Sequence, residues 1–294
     1  MTGKTLKTFV NTCATAALLV AGSAQASLLW KVSGNDLEQP SYLFGTVHMI
    51  CQSDFYMDER IEQAFANTQS LMLELNMSSE SEMMRLQQLM VNPSGPYLDE
   101  YLDDVQYAQV DAFFQQHVGA GLQFLGALKP FALQATAMAV TAPCDEVVSY
   151  EGYFLEQAMT GDYTVTAVES AEFQATLFDD IPMQQQVNWL WEIVDDVEAG
   201  QALFQELTSV YLSEDMDALF EVIVSEPEFQ EYQGLILDDR NLAWVEPIRA
   251  QIHQQPTFIA VGSGHIAGEL GMVELLRAEG YTVEPIARAE LITP

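Results

Sequence analysis

Four histidines occur in the 294 residues, and two of them stand in matching surroundings. Leu43-Phe44-Gly45-Thr46-Val47-His48 and Ala260-Val261-Gly262-Ser263-Gly264-His265 each run from an apolar stretch through Gly-x-x to His. Gly45 and Gly262 allow a sharp backbone turn. Such a turn at a strand end delivers the next side chain to the carboxyl edge of a sheet, where α/β proteins bind ligands. One such His carries little weight, but two near opposite ends of a His-poor chain single out His48 and His265. His117 and His253 fall near the ends of predicted helices, where the helix dipole favours a cation, and read as surface residues.

Acids at strand ends come next. Glu74 interrupts the apolar run Leu71-Met72-Leu73-Glu74-Leu75, and Glu169 ends the strand-like Thr164–Glu169. A carboxylate in either setting is costly unless it is paired or bound to a cation. Arg240, one of six arginines, sits at the start of a predicted helix, where the dipole disfavours it, so a specific partner is expected. A buried Glu–Arg pair that organises the core is the alternative to a functional cluster. Two neutral imidazoles with one or two carboxylates suit a divalent metal such as Zn, Mn, Fe or Co, which would activate water near neutral pH. Without a metal, one His would act as general base, positioned by Glu, with Arg240 stabilising an oxyanion. The chain has no helical HExxH, no G-x-S-x-G and no G-x-x-x-x-G-K-[ST] loop.

The elements that must position these residues follow from periodicity. Strands are predicted over residues 27–33 and 41–48, with a hairpin-like break at Gly34-Asn35-Asp36, and then over 71–75, 164–169, 257–261 and 281–286. Helical patterns fill 59–68, 78–90, 98–140, 150–159, most of 172–231, 239–252 and the stretch leading to Gly280. Strands at both ends and in the middle, with helices between, indicate one α/β domain: a central mixed sheet flanked by helices, with a large helical insert at about 78–142. A separate helical lobe is the alternative arrangement.

Residues 1–26 read as a cleavable signal peptide: Lys4 and Lys7, an apolar stretch from Phe9 to Ala21, then Ala24-Gln25-Ala26. The apolar stretch is short for a membrane span, which needs about 20 residues, so no stable membrane anchor is expected. Cleavage after Ala26 leaves 268 of 294 residues and places the mature protein in the periplasm or outside the cell. Losing the two lysines takes the net charge from −33 to −35. That excludes nucleic acid and anionic membrane surfaces as partners, because phosphate neutralisation needs clustered Lys and Arg. The acids are spread along the chain, as on a solvated surface adapted to salt. Cys51 and Cys144 remain, and in an exported chain the even pair is expected to form a disulfide, with two separate buried thiols as the alternative.

The paired GxxH turns, the strand glutamate in LMLELN and the closing block GSGHIAGELGMVELLRAEGYTVEPI resemble the TraB/GumN (PrgY) family, related to the animal Tiki proteins. The resemblance extends through SYLFGTVHMI, SYEGYFLEQAM, VESAEFQATLFDDIP and DDRNLAWVEPI, and so over nearly all of residues 27–294. It implies an erythromycin-esterase-like core and, by analogy with Tiki, metal-dependent hydrolysis of peptides or proteins. It carries over onto His48, Glu74, Glu169, Arg240 and His265, with Gly45 and Gly262 shaping the turns. On that reading His48, Glu74 and His265 bind a divalent ion (Mn, Co, Zn or Fe). Glu169 is a further ligand or the general base, and Arg240 holds a substrate carboxylate or oxyanion. The alternatives are a non-catalytic protein that binds a peptide or metal-containing ligand, and a metal-free esterase using His as base.

Overall fold

Strands form where the apolar runs are, and helices where the period lengthens. The computed structural model describes residues 27–288, apart from 96 and 226; the expected signal peptide at 1–26 lies outside the described residues. The strands are β1 (Leu29–Ser33), β2 (Ser41–Thr46), β3 (Ile50–Cys51), β4 (Ser70–Leu73), β5 (Val147–Val148), β6 (Thr164–Ala167), β7 (Thr257–Gly262) and β8 (Thr282–Pro285). Six of them make one sheet in the order β6-β4-β7-β2-β1-β8. The four strands β6, β4, β7 and β2 run parallel, whereas β1 is antiparallel to both β2 and β8. The sheet is therefore mixed, and helices flank it.

The burial pattern explains why the strands read as continuous apolar runs. Every residue of β2 and β4 is buried, as is β7 up to Val261. A parallel sheet covered on both faces has no solvent side to alternate with. Phe65 from the helix Glu59–Ala66 and Phe154 from the helix Tyr150–Thr160 pack against each other and against Phe258, and Phe154 also meets Phe44. The β1–β2 connection turns at Gly34, Asn35 and Asp36, all with positive φ (77°, 45° and 62°). This is the hairpin-like break expected there.

A second apolar cluster lies apart from the sheet. It joins Val110 and Phe114 of the helix Asp104–His117, Leu133 and Ala137 of Pro130–Thr141, and Val187 and Leu190 of Met183–Asp195. The helical layer over residues 97–141 thus closes on a helix from a different part of the chain. The helix Glu80–Leu89 buries none of its residues and packs instead on Ala171–Leu177, whose Ala171 N–H donates to Glu82 Oε2 (3.0 Å).

Three local readings change. Glu74 and Glu169 lie just past the regular strands: β4 ends at Leu73 and β6 at Ala167, and Glu169 N–H still donates to Glu74 O (3.2 Å). The short ribbon of β3 with β5 has too few residues to show a period in sequence. Arg240 is not at an exposed helix start. The helix Pro227–Gln233 runs through a π-helical turn, Gly234–Asp238, directly into the helix Asp239–Ile252. No free N-terminal dipole therefore faces Arg240, and the partner inferred for it rests on contacts alone.

Cys51 and Cys144 are joined in a disulfide, with Cα atoms 5.9 Å apart. The bridge sits beside the β3–β5 ribbon, where Cys51 pairs with Val147 and Ile50 with Val148. It therefore ties the chain just after His48 to the chain just before the helix Tyr150–Thr160. His117 and His253 are both exposed, as expected. No helix among the described residues is long and apolar enough to cross a membrane.

Candidate active site

Four adjacent parallel strands end on the same edge of the sheet, and each is followed within three residues by one of the singled-out side chains. His48 follows β2, Glu74 follows β4, Glu169 follows β6 and His265 follows β7. The β2–β7 register sets Gly45 opposite Val261 and Thr46 opposite Gly262, so the two GxxH turns lie side by side. A Cβ on Gly45 would come within 3.1 Å of Ile266 Cγ1 and 3.3 Å of Ser263 Cα. Glycine there lets one turn rest against the other. The buried Tyr211 hydroxyl donates to Gly45 O (3.0 Å) and holds the first turn from behind.

The helix Asp239–Ile252 supplies the other wall. Its buried face carries Arg240, Asn241, Trp244 and Ile248, spaced as one side of a helix. Arg240 uses all five of its N–H donors. Nη2 donates to Glu74 Oε2 (2.7 Å) and Glu169 Oε1 (2.6 Å), and Nε to Glu169 Oε2 (3.2 Å). Nη1 reaches Ile236 O and His265 Nε2, each at 3.1 Å. Trp244 Nε1 donates to Glu169 Oε2 (2.9 Å), and its ring lies 4.2 Å from that of His265.

These contacts redistribute the expected roles. Glu169 is committed to Arg240 and Trp244, and Arg240 keeps no donor for a substrate carboxylate or oxyanion. In this arrangement the two side chains bracket Glu74, and Arg240 also reaches His265. The π-helical turn before Arg240 brings Ile236 O to its guanidinium, consistent with the tendency of such turns to occur at functional sites.

The electrostatics follow from these contacts. Burial pushes the Glu74 carboxyl up, but the Arg240 charge, neighbouring histidines and the Gly262 N–H (2.8 Å to Oε1) bring it down to about 2. Burial holds His265 down at about 3, against the pull of Glu74, so its ring is neutral at ordinary pH and Glu74 is kept ionised chiefly by Arg240. Burial, with the negative charge of Glu74 adding to it, raises Glu169 against the pull of Arg240 and the Trp244 N–H. With His265 neutral, its Nδ1 carries the proton and donates to Asn241 Oδ1 (2.7 Å), and Nε2 keeps the lone pair.

His48 differs. Its side chain is 66% exposed, and Nδ1 is 2.9 Å from Glu151 Oε1. That hydrogen bond, with the charges of Glu74 and Glu151 adding to it, raises His48 to about 9. Its Nε2 faces the space over Gly262. A Cβ on Gly262 would lie 3.1 Å from Glu74 Oε1, 3.6 Å from His265 Cδ2 and 3.8 Å from His48 Nε2. The missing side chain of Gly262 thus leaves a space bordered by Glu74 Oε1, the Cδ2 edge of His265 and His48 Nε2.

A sequence model of the TraB/PrgY/gumN family matches residues 28–285. The chain belongs to the TraB/PrgY/gumN family. Neither a curated protein nor a solved structure matches it.

In this TraB-family member, several residues of the site carry no signal of their own in the sequence, Glu151 and Asn241 among them. Glu151 was hidden by its place in the first turn of a helix, where an acid needs no reason beyond the dipole. Asn241 was hidden because neutral amides carry no charge signal; it stands beside Arg240 on the same helix face. Gln174 also reaches Glu74 Oε2 (3.2 Å).

As placed, no group of three or more His, Cys, Asp or Glu side chains among the described residues closes to ligand distance around one point. The donor chemistry nonetheless fits a divalent ion. Both imidazoles have Nδ1 tied to an acceptor, the arrangement that orients Nε2 of a metal-ligating His. Glu74 Oε1 is 4.0 Å from His265 Nε2, and two tetrahedral ligands at about 2.1 Å stand about 3.4 Å apart, so a bound ion would draw the pair together. The competitor is Arg240 Nη1, which His265 must exchange. Gly262→Ala tests the convergence. The methyl group is expected to cost about 1–3 kcal/mol by overpacking while abolishing metal uptake. Wild-type metal content in a folded G262A protein would show that the space over Gly262 is not the site.

Proposed function

We propose that this TraB-family protein is an exported, metal-dependent hydrolase acting on peptides or proteins, in the periplasm or outside the cell. The observation that carries the reading is the convergence of His48, Glu74 and His265 from three strand ends onto the space over Gly262, with each imidazole held through Nδ1. These three residues would hold the ion. A divalent metal there supplies Lewis acidity toward the scissile carbonyl and activates water near neutral pH. Glu74 contributes the anionic ligand, kept ionised by Arg240. His265 enters neutral, and His48, whose ring is protonated at neutral pH in the metal-free protein, must release a proton to bind.

The deciding experiment is metal content by mass spectrometry on the purified protein beside His48→Ala and His265→Ala. Near-stoichiometric transition metal in the wild type, lost in both variants, is the expected result, with hydrolysis of a mixed peptide pool as the next assay. Absence of metal after addition of Mn, Co, Zn and Fe would overturn it. A metal-free reading is favoured by one observation: Arg240 caps His265 Nε2, leaving the His48–Glu151 pair as the accessible acid–base group. Turnover that survives chelation would select it, and binding without turnover would select a non-catalytic role.

A further inference from the structure

Glu151 is a charged residue that the fold has turned inward. It lies in the first turn of the helix Tyr150–Thr160, which is capped by Ser149, and acids in such positions ordinarily face water. Here the side chain is only 9% exposed and Oε2 is buried without a partner. Burying a carboxylate with one oxygen unsatisfied is costly, and the helix N-terminus offsets part of that cost wherever the side chain points. The contacts of Oε1 supply the reason for the inward orientation. It accepts from Thr46 Oγ1 (2.5 Å) and lies 2.9 Å from His48 Nδ1, so both bonds come from the first GxxH turn. The disulfide and the β3–β5 ribbon brace the two segments that meet there.

We propose that Glu151 is a positioning residue: it fixes the rotation of the His48 ring and reserves Nε2 for the space over Gly262, while Thr46 holds the carboxylate in line. The inference deepens the metallohydrolase reading and rests on His48 working through Nε2. It also gives the first variable position of the turn a task, since valine at 46 would fit the strand but could not anchor Glu151.

The test uses the full chain with Glu151→Ala, Glu151→Gln and Thr46→Val. In metal-free, ¹⁵N-histidine-labelled protein, wild type should show a slowly exchanging, downfield Nδ1 proton, assigned to His48 by its loss in His48→Ala. Glu151→Gln, which still offers an oxygen, should keep it; Glu151→Ala should lose it; Thr46→Val should exchange it faster. Titration with Co²⁺ followed by absorbance should give roughly 10- to 100-fold weaker binding in Glu151→Ala, with Glu151→Gln nearer wild type. A folded Glu151→Ala protein that keeps the protected proton and wild-type cobalt affinity overturns the proposal. If Glu151→Ala does not fold, a His48 Nδ1 proton that exchanges no faster in Thr46→Val than in wild type does the same. Should the wild type take up no cobalt, the metal reading falls, and the Nδ1 proton still decides the role of Glu151.

Discussion

Arg240→Ala is expected to lower the unfolding free energy by about 3–5 kcal/mol at neutral pH, the loss typical of a buried ion pair stripped of one partner. All five guanidinium donors are engaged, and their removal leaves the buried Glu74 and Glu169 side chains without the guanidinium that pairs them. Lysine at this position keeps the charge but cannot fork between two carboxylates, so Arg240→Lys should fall between the two. The pH dependence is a sharper signature. In the wild type the Glu74 carboxyl is lowered from 4.5 to about 2, so its contribution is full above 4.5 and is lost as pH falls toward 2. In Arg240→Ala burial is no longer opposed by the guanidinium, and protonating the carboxyls relieves the fault. The deficit should therefore be largest at pH 7 and shrink as pH drops below 4.5. Urea unfolding of both proteins at pH 7 and pH 3.5 measures this. A deficit that is absent at pH 7, or that grows in acid, would show that Arg240 does not pair the two acids.

Opening the Cys51–Cys144 bridge is the second large effect. The cysteines are 93 residues apart, and cross-linking a loop of that length restricts the unfolded chain enough to contribute about 4 kcal/mol. Cys51→Ser/Cys144→Ser should show that loss in denaturant titration, and reduction of the wild type should reproduce it. The effect should also reach the site, because the bridge joins the segment leaving His48 to the segment entering the Glu151 helix. Faster exchange of the His48 Nδ1 proton in the double variant is the local readout. A double variant as stable as wild type, with its His48 proton equally protected, would make the bridge incidental to both fold and site.

Much of the site could be read before folding, because its signals are local. A glycine three residues before a histidine at the end of an apolar run describes a turn and a chemistry at once, and this occurs twice. Glu74 and Glu169 stood out because a charge closing an apolar stretch needs a partner. The fold class followed from the order of periods along the chain, and the six-stranded sheet flanked by helices agrees with it. Strand ends were less legible: the regular strands stop at Leu73 and Ala167, while backbone hydrogen bonds run on as far as Glu169 N–H to Glu74 O.

What the chain determined by itself, then, was the set of residue types and the turns that carry them, since these depend on neighbours in sequence. Only the tertiary structure decided their duties. The parallel pairing of β2 with β7 sets the two GxxH turns together, and the buried face of the helix Asp239–Ile252 commits Arg240 to Glu169 as much as to Glu74. The same packing turns Glu151 inward onto His48. Hydrogen-bond partners are chosen by distance after the chain has packed. Glu151 and Asn241, ordinary at their own positions, became visible only once the strands and helices around them were in place.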